Sequence, residues 1–110
     1  MRDGIAALTL LAAGCAATAA HEAPLDAAAL QTYPDAAGMP ADVQHYIVRW
    51  SDCSHWLGEP AFDADRDRQI DRAVREVCPG VDALGQRVRA RHAGSAAVLA
   101  RIADYEPLGH

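Results

Sequence analysis

Residues 42–57 read DVQHYIVRWSDCSHWL, and within them Val43, Tyr46, Ile47, Trp50, Cys53 and Leu57 recur at steps of three and four. That spacing gathers six apolar side chains on one stripe of an α-helix. Pro40 lies just before the run and suits a helix start, where its missing N–H leaves no helical hydrogen bond unmade. A strand would instead alternate apolar and polar residues with a period of two, and no stretch of the chain does so. The expected fold class is all-α.

Toward the carboxyl end, Gly58, Pro60 and the residues to Phe62 interrupt the pattern, and Asp63 is a good N-cap for a second helix with the stripe Ile70, Ala73, Val74, Val77 and Cys78. Pro79-Gly80 stops that helix. Val81, Leu84 and Val88 mark a shorter third helix closed by Gly94, with Gly85 leaving its length open. Ser95 caps a fourth, which turns Val98, Leu99, Ile102 and Tyr105 inward. The expectation is a small bundle of about four short helices over residues 41–106.

Toward the amino end the chain changes character. Arg2, the apolar run Ile5–Ala13 and the small residue Gly14 have the order of a signal peptide, here residues 1–14. Leu11-Ala12-Ala13-Gly14-Cys15 resembles the lipobox of bacterial lipoproteins, which makes Cys15 the expected lipidation site. Cleavage after Ala19 or Ala20, giving a secreted or soluble periplasmic chain, is the alternative; an Ala-rich tail on a cytosolic protein is a third. Between Cys15 and Pro40, Pro24, Pro34 and Gly38 accompany few large apolar residues. Residues 15–40 therefore read as a flexible tether, with a short helical turn over Asp26–Tyr33.

The chain contains three cysteines. If Cys15 carries a lipid or is removed, Cys53 and Cys78 remain as a pair able to form a disulfide in an oxidising compartment. The pair constrains topology. A plain hairpin turning near Pro60 would set Cys53 opposite residue 68, and ten further residues of helix are about 15 Å. Bridged Cα atoms lie within about 7 Å, so the first two helices cannot form a simple hairpin.

A net charge of −5, ten arginines without a lysine, and Arg66, Arg68, Arg72 and Arg75 interleaved with Asp65, Asp67, Asp71 and Glu76 leave no clustered basic surface. Nucleic acid is thus not an expected partner. Asp63, Asp65, Asp67 and Asp71 imitate part of a calcium loop, but Arg68 stands where the loop needs a sharp turn and Val74 where it needs a bidentate carboxylate. Cys53, His55, Cys78 and His92 have zinc-ligand chemistry without a standard zinc spacing. No cofactor is expected. Asp52, His55 and Glu59 could share a helix face and act as acid and base or hold a metal. The competing reading has His55 and Glu59 bonding the backbone of the loop after the first helix and fixing its turn. Trp50 belongs to the core stripe; Trp56, at its edge, either caps the core or anchors a partner.

The segment Cys53-Ser54-His55-Trp56-Leu57-Gly58-Glu59 resembles an element, Cys-x-His-aromatic-x-Gly-Glu, of small exported proteobacterial proteins with no established activity. The resemblance extends loosely over residues 42–106 through the acidic and Arg-rich helix, the second cysteine and a terminal Ala97–Glu106 element. It implies a fold unit rather than an activity. The functional expectation is a small envelope lipoprotein facing the periplasm, held at the membrane by Cys15, with a structural or protein-interaction role. His55, Trp56, Gly58 and Glu59 are its contact surface or structural hub. The rivals are an enzyme using His55, Glu59 and Asp52, and an inhibitor of a periplasmic hydrolase.

Overall fold

The computed structural model describes residues 22–110, and among them every regular element is helical. The signal peptide, Cys15 and the start of the tether lie outside the described residues. The helices are α1 (Ala27–Thr32), a 3-10 turn (Pro34–Ala36), α2 (Ala41–Leu57), α3 (Ala64–Val77), α4 (Val81–Arg91) and α5 (Ala96–Arg101). The four predicted helices are α2 to α5.

Two N-caps form as their residue types dictate. The Asp63 carboxylate accepts the Arg66 N–H at 2.7 Å, and Ser95 Oγ accepts that of Val98 at 3.3 Å, each satisfying one of the donors a helix start leaves free. Gly80, at φ +79°, makes the left-handed turn from α3 into α4, a conformation that a residue with a Cβ rarely adopts.

α2 is the central element and packs against both α3 and α4. Val43, Tyr46, Ile47 and Cys53 of its stripe are buried with Cys78, Val81, Val88, Val98, Ile102 and Tyr105. Leu57, the last residue of the predicted stripe, is exposed instead, at the point where α2 ends. α3 buries no residue completely; Val74 and Val77 only flank the core.

The disulfide joins Cys53 to Cys78 with Cα atoms 4.9 Å apart. It ties the carboxyl end of α3 to α2 one turn before α2 ends. The hairpin is therefore absent, as the cysteine spacing required, and residues 59–63 form an irregular loop.

The tether expectation needs correction over the described residues 22–40. Asp26 caps α1 by accepting the Ala29 N–H, and this helix is the turn expected over Asp26–Tyr33. Leu25, Leu30, Tyr33 and Met39 pack against the core, and Ala36 is fully buried within it. Gln44 of α2, 5% exposed, holds the segment down. Its Oε1 accepts the Leu25 N–H at 2.8 Å, and its Nε2 donates to the Ala36 carbonyl at 3.1 Å. A few apolar side chains and one amide thus order a segment whose composition alone resembles a linker.

The carboxyl end is held in the same manner. Asp82 accepts the N–H groups of Leu108, Gly109 and His110. The Leu108 N–H, the largest influence, holds the carboxyl below its ordinary value; desolvation opposes it, and the N–H groups of Gly109 and His110 and the charge of His110 add to the lowering. A carboxylate depressed in the folded state contributes stability above its unfolded value of about 3.9, and loses it as pH falls through the folded value. Acidification from about pH 4 down through that lowered folded value is expected to release residues 108–110, visible as loss of amide-exchange protection there while α2 stays protected. Release of α2 at the same pH would show that the tail is not a separate latch.

Candidate functional site

The last turn of α2 and the first of α3 enclose a polar cluster. Glu59 Oε1 lies 3.2 Å from His55 Nε2, and its Oε2 accepts from Arg66 Nη2 at 2.9 Å. Arg66 Nη1 donates to Gln69 Oε1, and the guanidinium sits 5.4 Å from the centre of the Trp56 ring. His55 meets Trp56 edge-on at 5.5 Å.

Glu59 is thus engaged by Arg66 and His55, where one of the two sequence readings had it bonding loop backbone. In sequence Arg66 is one of several arginines interleaved with acids; in the structure it is 21% exposed, and its Nε is buried without a hydrogen-bond partner among the described residues. Trp56 is half-buried and lies outside the core cluster, between Arg66 and His55. Gly58 has an ordinary right-handed conformation, and a Cβ there would make only van der Waals contacts. Glycine is not required at that position.

The charges rank unequally. His55 is 62% exposed, so its link to Glu59 is screened and contributes little. Glu59 and Arg66 are 26% and 21% exposed, and losing one leaves the other poorly solvated. Glu59→Ala is expected to cost about 1 kcal/mol, roughly 4–8 °C in melting temperature. His55→Ala should shift it by less than about half as much. Thermal unfolding by circular dichroism separates the two, and equal losses would show His55 to be as structural as Glu59.

Asp52, the third residue of the acid–base expectation, is engaged elsewhere. Its Oδ1 accepts the Tyr33 hydroxyl at 2.6 Å. Nearby, the Tyr105 hydroxyl donates to Asp35 Oδ2 at 3.1 Å. The bond to Asp52, with burial and the Asp52 charge, pushes Tyr33 up to about 12. Burial first, then the bond and charge of Asp35, pushes Tyr105 up to about 12. Both hydroxyls therefore remain protonated donors at neutral pH. Tyr33, Asp35, Ser51, Asp52, His55 and Tyr105 line a cleft of about 320 Å³. This second site is not visible in the sequence, because its residues come from the end of α1, the 3-10 turn, α2 and the segment after α5.

Among the described residues no group of three or more His, Cys, Asp or Glu is placed to hold a metal ion. The zinc candidates are dispersed: Cys53 and Cys78 are bonded to each other, and His92 Nε2 lies 3.0 Å from both oxygens of Asp42. The partial calcium loop is the capped start of α3. Among the described residues no helix is long and apolar enough to cross a membrane. Comparison with protein-family models, curated proteins and solved structures found no match.

Proposed function

We propose that this chain is a small exported envelope protein, held at the membrane by a lipid on Cys15 and facing the periplasm. Its role is structural or protein-binding, with His55–Phe62 as the contact surface. The observation that carries the reading is the buried Cys53–Cys78 disulfide, because such bonds persist in oxidising compartments and are rare in the cytosol. Leu57 and Phe62, 44% and 78% exposed, support the contact surface, since apolar side chains left in water beside a braced turn suit burial by a partner. The resemblance to small exported proteobacterial proteins agrees with this reading.

The polar chemistry supports the same side. Glu59 is engaged by Arg66, and Asp52 by Tyr33, so two of the three residues of the enzymatic alternative already brace the fold.

Intact mass of the protein purified from its host membrane tests the proposal. The expected species begins at Cys15, carries two or three acyl chains, and lacks two hydrogens for one disulfide. A full-length chain with three free thiols overturns it.

A further inference from the structure

We propose that the cleft between the Tyr33–Asp35 turn and α2 binds an alkylammonium group, either of a small free amine or of a lysine side chain on a partner. The site is a cavity of about 320 Å³, at the lower end of the sizes typical of small-molecule sites, in which a few polar groups converge on apolar walls. Ile47 and Tyr105, 0% and 8% exposed, supply buried apolar and aromatic surface; Tyr33, Asp35, Ser51 and Asp52 supply polar groups from two separate parts of the chain.

The charge selects the ligand class. The cleft is lined by two carboxylates and by no arginine, and neither Asp35 nor Asp52 belongs to an ion pair among the described residues. The guanidinium contacts to lining residues go to backbone carbonyls, Arg101 to that of Asp35 and Arg89 to that of Tyr105, and to neither carboxylate. Each carboxylate instead accepts one tyrosine hydroxyl, which holds it in place without neutralising it. An anion would meet two like charges here. An ammonium would meet both acids, above the buried Ile47 and Tyr105. His55, also on the lining, has Glu59 as its partner. The proposal rests on the cleft alone and stands whether or not Cys15 carries a lipid.

The test is titration of the full chain, followed by backbone amide shifts, with n-pentylammonium in one arm and a lysine-containing peptide in another. The acetyl-lysine version of the peptide is the control. Saturable shifts centred on residues 32–35 and 51–55 are expected, with Kd about 1 mM or tighter. Asp35→Asn and Asp52→Asn should each weaken binding by about tenfold. Tyr33→Phe frees an Asp52 oxygen and should bind as tightly as the parent or more so, an outcome that general loosening of the fold would not produce. Tighter binding of the peptide than of pentylammonium assigns the ammonium to a protein partner; the reverse assigns it to a small amine. Absence of saturable shifts with both probes, equal binding of the acetylated peptide, or binding unchanged in both Asp variants overturns the proposal.

Discussion

Replacing Cys53 and Cys78 together by alanine is expected to lower the melting temperature by roughly 12–30 °C. The bond joins positions 25 residues apart, and closing a loop of that length stabilises by about 3–4 kcal/mol on the chain-entropy model. A small domain buries a modest fraction of its surface, so a contribution of this size is a large share of its total. Alanine is the informative replacement, since both sulfurs are fully buried and a serine hydroxyl would add a desolvation cost of its own. The loss should also be uneven. α3 has no fully buried residue, and besides the disulfide it is held chiefly by flanking contacts of Val74 and Val77 and by Arg66 on Glu59. Hydrogen exchange should therefore show α3 opening first in the double variant, with α2 and α4 still protected. A fall of less than about 5 °C, or uniform loss of protection, would mean that packing and not the covalent tie positions α3.

The helices were legible because each carries its own local signal. The stripe of α2, Asp63, Ser95 and Pro79-Gly80 act within a few residues of where they stand, and the structure uses each as its chemistry directs. The spacing of Cys53 and Cys78 extended that legibility to one tertiary fact, the absence of a hairpin. What stayed hidden depends on contacts distant in sequence. Gln44 reads as an ordinary polar helix residue until Leu25 and Ala36 arrive to use both ends of its amide. Arg66 reads as one of several surface arginines until the loop brings Glu59 and Trp56 to it. The cleft is the extreme case, since Tyr105 reaches Asp35 across 70 positions. At the candidate site, His55, Trp56 and Glu59 gather around Arg66, a partner the sequence did not single out, and a Cβ at Gly58 would make only van der Waals contacts.

Gly85 shows the same limit and leads to the second large effect. In the sequence it weakens a helix; in the structure α4 runs through it without a break, and its missing side chain is what lets Tyr46 in. A Cβ on residue 85 would lie 2.7 Å from Tyr46 Oη, 2.8 Å from its Cζ and 2.9 Å from Arg89 Nη1. Tyr46 cannot move aside cheaply. It is 2% exposed, donates to the Tyr105 carbonyl at 3.3 Å and accepts from Arg89 Nη1 at 3.2 Å. Arg89 in turn donates to the carbonyls of Ile102 and Tyr105, so the ring, the arginine and the end of α5 move together or not at all. Tyr46→Ala removes the ring and is expected to cost about 3–5 kcal/mol, as for other large aromatic truncations in cores. Gly85→Ala gains about 1 kcal/mol of helix propensity but overpacks a filled site, where the penalty is about 1–3 kcal/mol, and its net effect should be destabilising. The two losses should not add. Once the ring is gone the new methyl has room, so Gly85→Ala should stabilise the Tyr46→Ala protein by about 1 kcal/mol. Denaturant unfolding of the four proteins in the cycle measures this change of sign. If Gly85→Ala is destabilising in both backgrounds, the close approach of Tyr46 is not what keeps residue 85 bare.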